Sequence, residues 1–175
     1  FEKAWTCYCM HRGVRIFINR DPKDIAVAVR QVCPSFMCSV PRFWEKAYDA
    51  IREKIDSSSP LRRVAFRVAL AVGRSRNLHY IRLGLPVPKF LEWRYRFCDR
   101  NIFRPIRRAM GVDRGKMFPT AGAPIGDTVN EFFHAIGVNI LVGYGLSETT
   151  ATVSCYPETG YCIGSVGLPL SGIEV

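Results

Sequence analysis

The apolar run Val138-Asn139-Ile140-Leu141-Val142 opens directly onto Gly143-Tyr144-Gly145-Leu146-Ser147-Glu148-Thr149-Thr150. A short apolar run bounded by turn residues suits a strand covered on both faces. Just upstream, Val129, Phe132, Phe133 and Ile136 recur at i, i+3, i+4 and i+7. That spacing predicts a helix, capped by Asp127 and stopped by Gly137. Further back, Lys116 to Thr120 reads as a strand running into Ala121-Gly122-Ala123-Pro124. Strand, helix and strand joined by short links make an α/β unit.

The first 58 residues alternate in the same way. Val14, Ile16 and Ile18 alternate with Arg15 and Phe17 as a strand does. Asp21 is a good cap, Pro22 suits a first helical position, and Ile25, Ala28, Val29 and Val32 follow at helical spacing. Phe36-Met37-Cys38 is a brief apolar strand. Pro41 opens a second helix, with Trp44, Tyr48, Ile51 and Ile55 along one face, and Ser57-Ser58-Ser59-Pro60 ends it. The expected fold class is therefore α/β, with parallel strands flanked by helices.

Residues 57 to 110 interrupt that pattern with a mostly helical, basic stretch. From Pro60 to Met110 there are thirteen Lys and Arg residues against Glu92 and Asp99 alone, an excess of eleven, so this stretch carries the whole +10 of the chain. Gly84-Leu85-Pro86-Val87-Pro88 breaks it in the middle. A helix is expected from Pro88 to about Arg104, where Pro105 cannot continue it. Within that helix Leu91, Tyr95, Cys98 and Ile102 oppose Arg96, Arg100 and Arg104. Phe90, Trp93, Tyr95 and Phe97 interleave with the arginines. Such a patch could draw an acidic membrane surface, the phosphates of coenzyme A or nucleic acid. The plainer reading is a solvated face whose aromatic side packs on the core while arginine stems cover apolar area. Nucleic acid ranks last, because no recognition motif accompanies the charge.

A chain of 175 residues with 48% hydrophobic content can hold one sizeable core or part of a larger domain. Seven scattered cysteines without ligand spacing point to reduced thiols in a cytoplasmic protein, not to zinc or a disulfide framework. No charged, apolar, small-residue leader is visible, and residues 132 to 147 are too broken by His134, Asn139 and glycines to span a membrane. His11, His79 and His134 are scattered, and His134, beside an apolar stripe, is expected to be a structural residue. The start at Phe1 and the strand-like Ile173-Glu174-Val175 suggest an internal piece of a longer protein.

The chemistry concentrates in Gly143 to Thr149. Glycines on both sides of Tyr144 permit a sharp turn and close approach to a ligand, and the ring could stack on a flat heterocycle. Ser147 and Thr149 offer hydroxyls, and Glu148 is a hard oxygen donor suited to Mg²⁺. Loops at the carboxyl ends of parallel strands are also where α/β folds bind ligands. The same residues allow a blander arrangement, in which Tyr144 packs, Ser147 caps a helix and Glu148 supports that cap.

Gly143 to Thr149 resembles the GYG(L/M)(T/S)E(T/S) signature of the adenylate-forming superfamily, which includes acyl-CoA synthetases. Ala121-Gly122-Ala123-Pro124 is similar to that family's Gly-Ala-Pro loop, and Gly164-Ser165-Val166-Gly167-Leu168-Pro169 with Gly172-Ile173-Glu174-Val175 to its downstream strand region. Cys38 to Lys46 resembles the C-S-V-P-R-x-x-E-K stretch of long-chain fatty-acyl members. Two departures are mild: Ala121 stands where Gly is frequent, and Ser147 replaces Thr but keeps its hydroxyl.

The resemblance implies that the chain is part of the large N-terminal domain of an adenylate-forming enzyme, a partial AMP-binding domain over residues 1 to 175, with residues 57 to 110 inserted in it. It implies that Gly122, Ala123 and Pro124 line the adenine and acyl-carboxylate side of the pocket, together with Gly143 and Gly145. Tyr144 would stack on adenine, Ser147 would bond the α-phosphate and Glu148 would hold Mg²⁺. The implied reaction is ATP-dependent activation of a long-chain fatty acid to acyl-adenylate, then to acyl-CoA with coenzyme A. Three parts of such an enzyme are not in the sequence: the phosphate loop, the ribose-binding aspartate and the catalytic lysine. No catalytic residue is therefore assigned, and the chain by itself is expected to be inactive. Two alternatives stand beside this: an adenylating enzyme for another carboxylic acid, and a non-catalytic module binding anions or membranes through residues 60 to 110.

Overall fold

Alternating burial in two short segments marks the centre of the molecule. A computed structural model describes residues 2 to 149 and 152 to 174; Phe1, Thr150, Ala151 and Val175, with the expectations that fall on them, lie outside those residues. Phe118 and Thr120 are buried on either side of Pro119 in strand β1 (Phe118–Thr120). β1 pairs in parallel with β2 (Ile140–Gly145), placing Phe118 opposite Ile140 and Thr120 opposite Val142. β3 (Thr152–Cys155) and β4 (Leu168–Pro169) follow antiparallel, in the order β1-β2-β3-β4. The class is α/β as expected, but the sheet is mixed, because the chain turns straight back after β2 instead of crossing over through a helix. Gly172 to Glu174 form a turn and coil outside the sheet.

The segment around Met37 runs beside β1 without completing a strand. Two isolated parallel bridges join them, Phe36 to Met117 and Ser39 to Thr120. The Ser39 N–H donates to the Pro119 carbonyl at 2.9 Å, so Pro119 faces this edge. Proline has no N–H, and the ladder bond between the two bridges has no donor. The expected strand at Val14 to Ile18 does not form. That stretch is irregular, and Val14, Phe17 and Ile18 are exposed. Alternation makes a strand only where a neighbour satisfies its backbone groups.

The early helices follow their sequence signals. Asp21 accepts a bond from the Lys23 N–H at 2.9 Å and opens a 3₁₀ turn, Pro22–Asp24. It follows α1 (Glu2–His11) and leads into α2 (Ile25–Val32), which buries Val29. In α3 (Pro41–Asp56), Trp44, Tyr48, Ile51 and Ile55 all face the core. Trp44 is 0% exposed, with edge-on contacts to Phe118 and Phe133 at 5.3 and 4.9 Å between centroids. Its indole N–H lies 2.8 Å from Ser39 Oγ and 2.9 Å from Thr120 Oγ1, and the two hydroxyls are 2.9 Å apart. One side chain thus ties α3, β1, the Ser39 segment and α7 (Asp127–Ala135) together.

The basic stretch is helical: α4 (Pro60–Arg74), a π-helical segment Ser75–Ile81, α5 (Lys89–Cys98), a second π segment Asp99–Phe103, and α6 (Arg104–Met110). Pro105 does not end the helix as expected. It stands in the first turn of α6, directly behind the widened π turn, where the proline ring escapes the carbonyl that a regular α-helix would place against it. Gly73 lets α4 lie against α7, since a Cβ there would overlap the Ala135 carbonyl. Asn77 donates to the His134 and Ala135 carbonyls at 2.8 and 3.1 Å, and Arg107 to the Ile136 carbonyl at 2.6 Å. The carbonyls at the end of α7 thus receive cationic and amide side chains from the basic stretch, and the His134 carbonyl accepts from the Gly137 N–H as well. At its start, Gly126 is the cap and Asp127 the first helical residue, so the helix begins one position earlier than expected. Gly137, at φ +81, ends the helix. Among the described residues no helix is long and apolar enough to cross a membrane.

Trp44→Ala empties the space that the ring fills in the core and removes the indole donor shared by Ser39 and Thr120, and is expected to cost about 3–5 kcal/mol. Thr120→Val keeps the shape and loses one partner of the indole, costing about 1 kcal/mol. Denaturant midpoints of the protein carrying each change will show whether the first loss is several times the second.

Candidate functional site

Adjacent parallel strands send their carboxyl ends to the same edge of a sheet. Thr120 is level with Val142, so Ala121 to Pro124 and Gly143 to Glu148 leave the β1/β2 pair together. The structure thereby brings Gly122, Ala123 and Pro124 to the same edge as Tyr144, Ser147 and Glu148. Gly122, Ala123 and Pro124 are exposed in an irregular loop where Gly122 takes φ +96.

Gly143 and Gly145 do not make the sharp turn that their composition suggested. Both lie within β2, opposite Cys155 and Thr152, and neither has left-handed backbone. β3 continues the ladder, so the chain stays extended to Gly145, with a register irregularity between Tyr144 and Gly145. Strand alternation puts Tyr144 on the same face as the buried Ile140 and Val142. At 43% exposure Tyr144 stands where that face emerges from the core into solvent.

The next four residues close a turn. Thr149 Oγ1 accepts from the Leu146 N–H at 2.9 Å and lies 3.0 Å from the Leu146 carbonyl. The hydroxyl of Thr149 is therefore committed to the turn. Ser147 and Glu148 occupy its exposed middle, and no helix follows them directly, so the helix-cap arrangement does not apply. Among the described residues there is no cluster of three or more His, Cys, Asp or Glu able to hold a metal. A divalent ion at Glu148 would take its other ligands from water and from phosphate oxygens. That matches the chemistry of Mg²⁺, which keeps several waters and binds through one or two carboxylates.

The core also holds a polar network that the sequence did not reveal. His134 Nε2 is 3.0 Å from the Ile140 carbonyl and Nδ1 is 3.2 Å from the Tyr161 hydroxyl. Tyr161 stacks on Tyr156 at 4.4 Å, and Asn130 donates to the Tyr156 hydroxyl at 3.3 Å. Burial lowers the His134 pKa to about 4, so at neutral pH it is an uncharged structural residue, as its place beside an apolar stripe suggested. Two open concavities, of about 590 and 310 Å³, lie elsewhere. The first is lined by Gln31, Cys33, Arg104, Arg108, Asp113 and Arg114.

The family model of the AMP-binding enzymes matches residues 1–175. Among curated relatives, the long-chain-fatty-acid–CoA ligase ACSBG2 of Mus musculus is 30% identical over 150 residues, covering 86% of this chain and 22% of that protein. The long-chain-fatty-acid–CoA ligase FadD15 of Mycobacterium bovis is 28% identical over 170 residues, covering 97% of this chain and 28% of its own. A probable acyl-activating enzyme 16, chloroplastic, of Arabidopsis thaliana is 29% identical, covering 81% and 22%. The chain thus spans about a quarter of the length of these relatives. No solved structure matches it.

The neutral state of His134 has a consequence for stability. Its folded pKa lies below the unfolded value, so the stability it supports is complete above about pH 6.5 and falls away as the pH drops towards 4. The loss is expected to be on the order of 3 kcal/mol. Denaturation midpoints measured across that window should fall in the parent protein and fall less in His134→Gln.

Proposed function

Because the chain belongs to the AMP-binding enzyme family, we propose that the longer protein it forms part of activates a long-chain fatty acid in two steps. ATP and the fatty carboxylate give acyl-adenylate and pyrophosphate; the thiol of coenzyme A then displaces AMP. The observation that carries this reading is the shared edge of β1 and β2, where the Gly122–Pro124 loop and the Tyr144–Glu148 segment emerge side by side.

In this reading Tyr144 offers its exposed ring to adenine. Gly122, Ala123 and Pro124, with Gly143 and Gly145, form the low-profile walls beside it, since none presents a side chain beyond a methyl or a ring. Ser147, exposed in the middle of the turn, donates to the α-phosphate. Glu148 would hold Mg²⁺, which when bound would supply neutralisation of phosphate charge. These residues act by positioning and by charge stabilisation, the usual protein share in phosphate chemistry. The site is cytoplasmic, with peripheral contact to a lipid surface through residues 60 to 110. The 175 residues alone are inactive, because ribose and the transferring phosphate need groups supplied by the rest of the protein.

In the full-length protein, Glu148→Ala is expected to lower fatty-acid-dependent pyrophosphate release on the order of 100-fold. Tyr144→Ala should act chiefly on the KM for ATP, raising it roughly 10-fold. Unchanged rates in Glu148→Ala would sink the assignment, and pyrophosphate release by the isolated 175-residue chain would overturn its dependence on the rest of the protein. The same assay run over a panel of carboxylic acids identifies the one that is activated.

A further inference from the structure

The outward side of α5 is an aromatic ridge. Leu91, Tyr95 and Cys98 pack on the core as the sequence suggested. The other aromatic residues do not: Phe90, Trp93 and Phe97, at i, i+3 and i+7, are 68%, 66% and 65% exposed. Phe90 and Trp93 stack with centroids 6.3 Å apart, and the Arg94 guanidinium lies 5.5 Å from the Phe90 centroid. At about 100° per residue, Arg94 flanks the ridge on one side and Lys89 and Arg96 flank it on the other, with exposed Arg100 following about one turn on, in the π segment.

The nearby acids are already engaged. Glu92 bonds Arg76 at 2.6 Å and Arg96 at 3.1 Å, and the bond to Arg76 above all holds its carboxyl below the usual range. Asp99 is taken by Arg107 at 2.6 Å. Among the described residues Lys89, Arg94 and Arg100 have no carboxylate partner. Covering the ridge with another protein surface would bury these cations or demand carboxylates placed to match them. An anionic lipid surface meets both needs: aromatic rings settle at headgroup depth while the cations reach lipid phosphates.

We propose that α5 docks the protein on an anionic bilayer, with Phe90, Trp93 and Phe97 entering the headgroup layer and Lys89, Arg94 and Arg100 on lipid phosphates. This gives a place to the lipid contact of the ligase reading and rests on that reading only for its purpose. Docking is read from vesicle binding and the reaction from pyrophosphate release, so either can fail alone.

The test uses the full-length protein and phosphatidylcholine vesicles with and without phosphatidylglycerol. Co-sedimentation is expected only with phosphatidylglycerol, and it should weaken as salt is raised. Vesicles should shift the tryptophan emission to the blue, and Trp93→Phe should remove that shift. Phe90→Ser/Trp93→Ser/Phe97→Ser and Arg94→Glu/Arg100→Glu should each weaken binding roughly 10-fold or more. The second pair changes only exposed charges and carries the test if the first set disturbs folding. The proposal is overturned by binding indifferent to phosphatidylglycerol or by binding unaltered in the charge-reversal pair. It is equally overturned if Trp93 in the lipid-free protein is shielded from acrylamide, because other parts of the polypeptide then cover the ridge.

Discussion

The indole of Trp44 is the point on which the rest of the arrangement depends. A single N–H reaches the hydroxyls of Ser39 and Thr120, and a single ring fills the space between α3, β1 and α7. Thr120 is the last residue of β1 and is level with Val142, so the indole also holds in place the end of the strand from which the Gly122 loop departs. With Pro119 unable to donate, the Ser39 segment relies on its two bridges and on this side-chain clamp to stay beside the sheet. A buried hydrogen bond of this kind contributes modestly by itself and costs much more when one partner is removed.

The basic stretch serves the fold and the surface at once. Asn77 and Arg107 close the carboxyl end of α7, and Arg82 reaches the Tyr161 carbonyl at 2.6 Å. These inward contacts brace the helix that joins β1 and β2. The outward residues of α5 have no such task and leave an aromatic ridge framed by cations. One segment of uniform composition therefore divides into residues that satisfy buried carbonyls and residues that face solvent. Charge counting along the sequence treats them alike.

Much of the fold was legible from local rules. Proline starts and apolar stripes placed α3 and α7, and Gly137 marked the end of α7 within a residue. The errors have physical causes. Val14 to Ile18 alternates like a strand but lacks a neighbour to pair with. Pro105 continues a helix because a π turn precedes it. Gly143 and Gly145 stay extended because β3, which begins at Thr152, returns to pair with them. In each case a distant or irregular partner overruled a sound local preference.

By itself, the sequence determined that a flat ring, a hydroxyl and a carboxylate fall within five positions, Tyr144 to Glu148, preceded by a small-residue loop. These are properties of side chains and of their order, and they need no fold to be read. Only the tertiary structure decided that the two segments share an edge, that Thr149 is consumed by its own turn, and that His134 is neutral inside a tyrosine network. Those facts depend on strand register and burial, which are set by contacts between residues far apart in the chain.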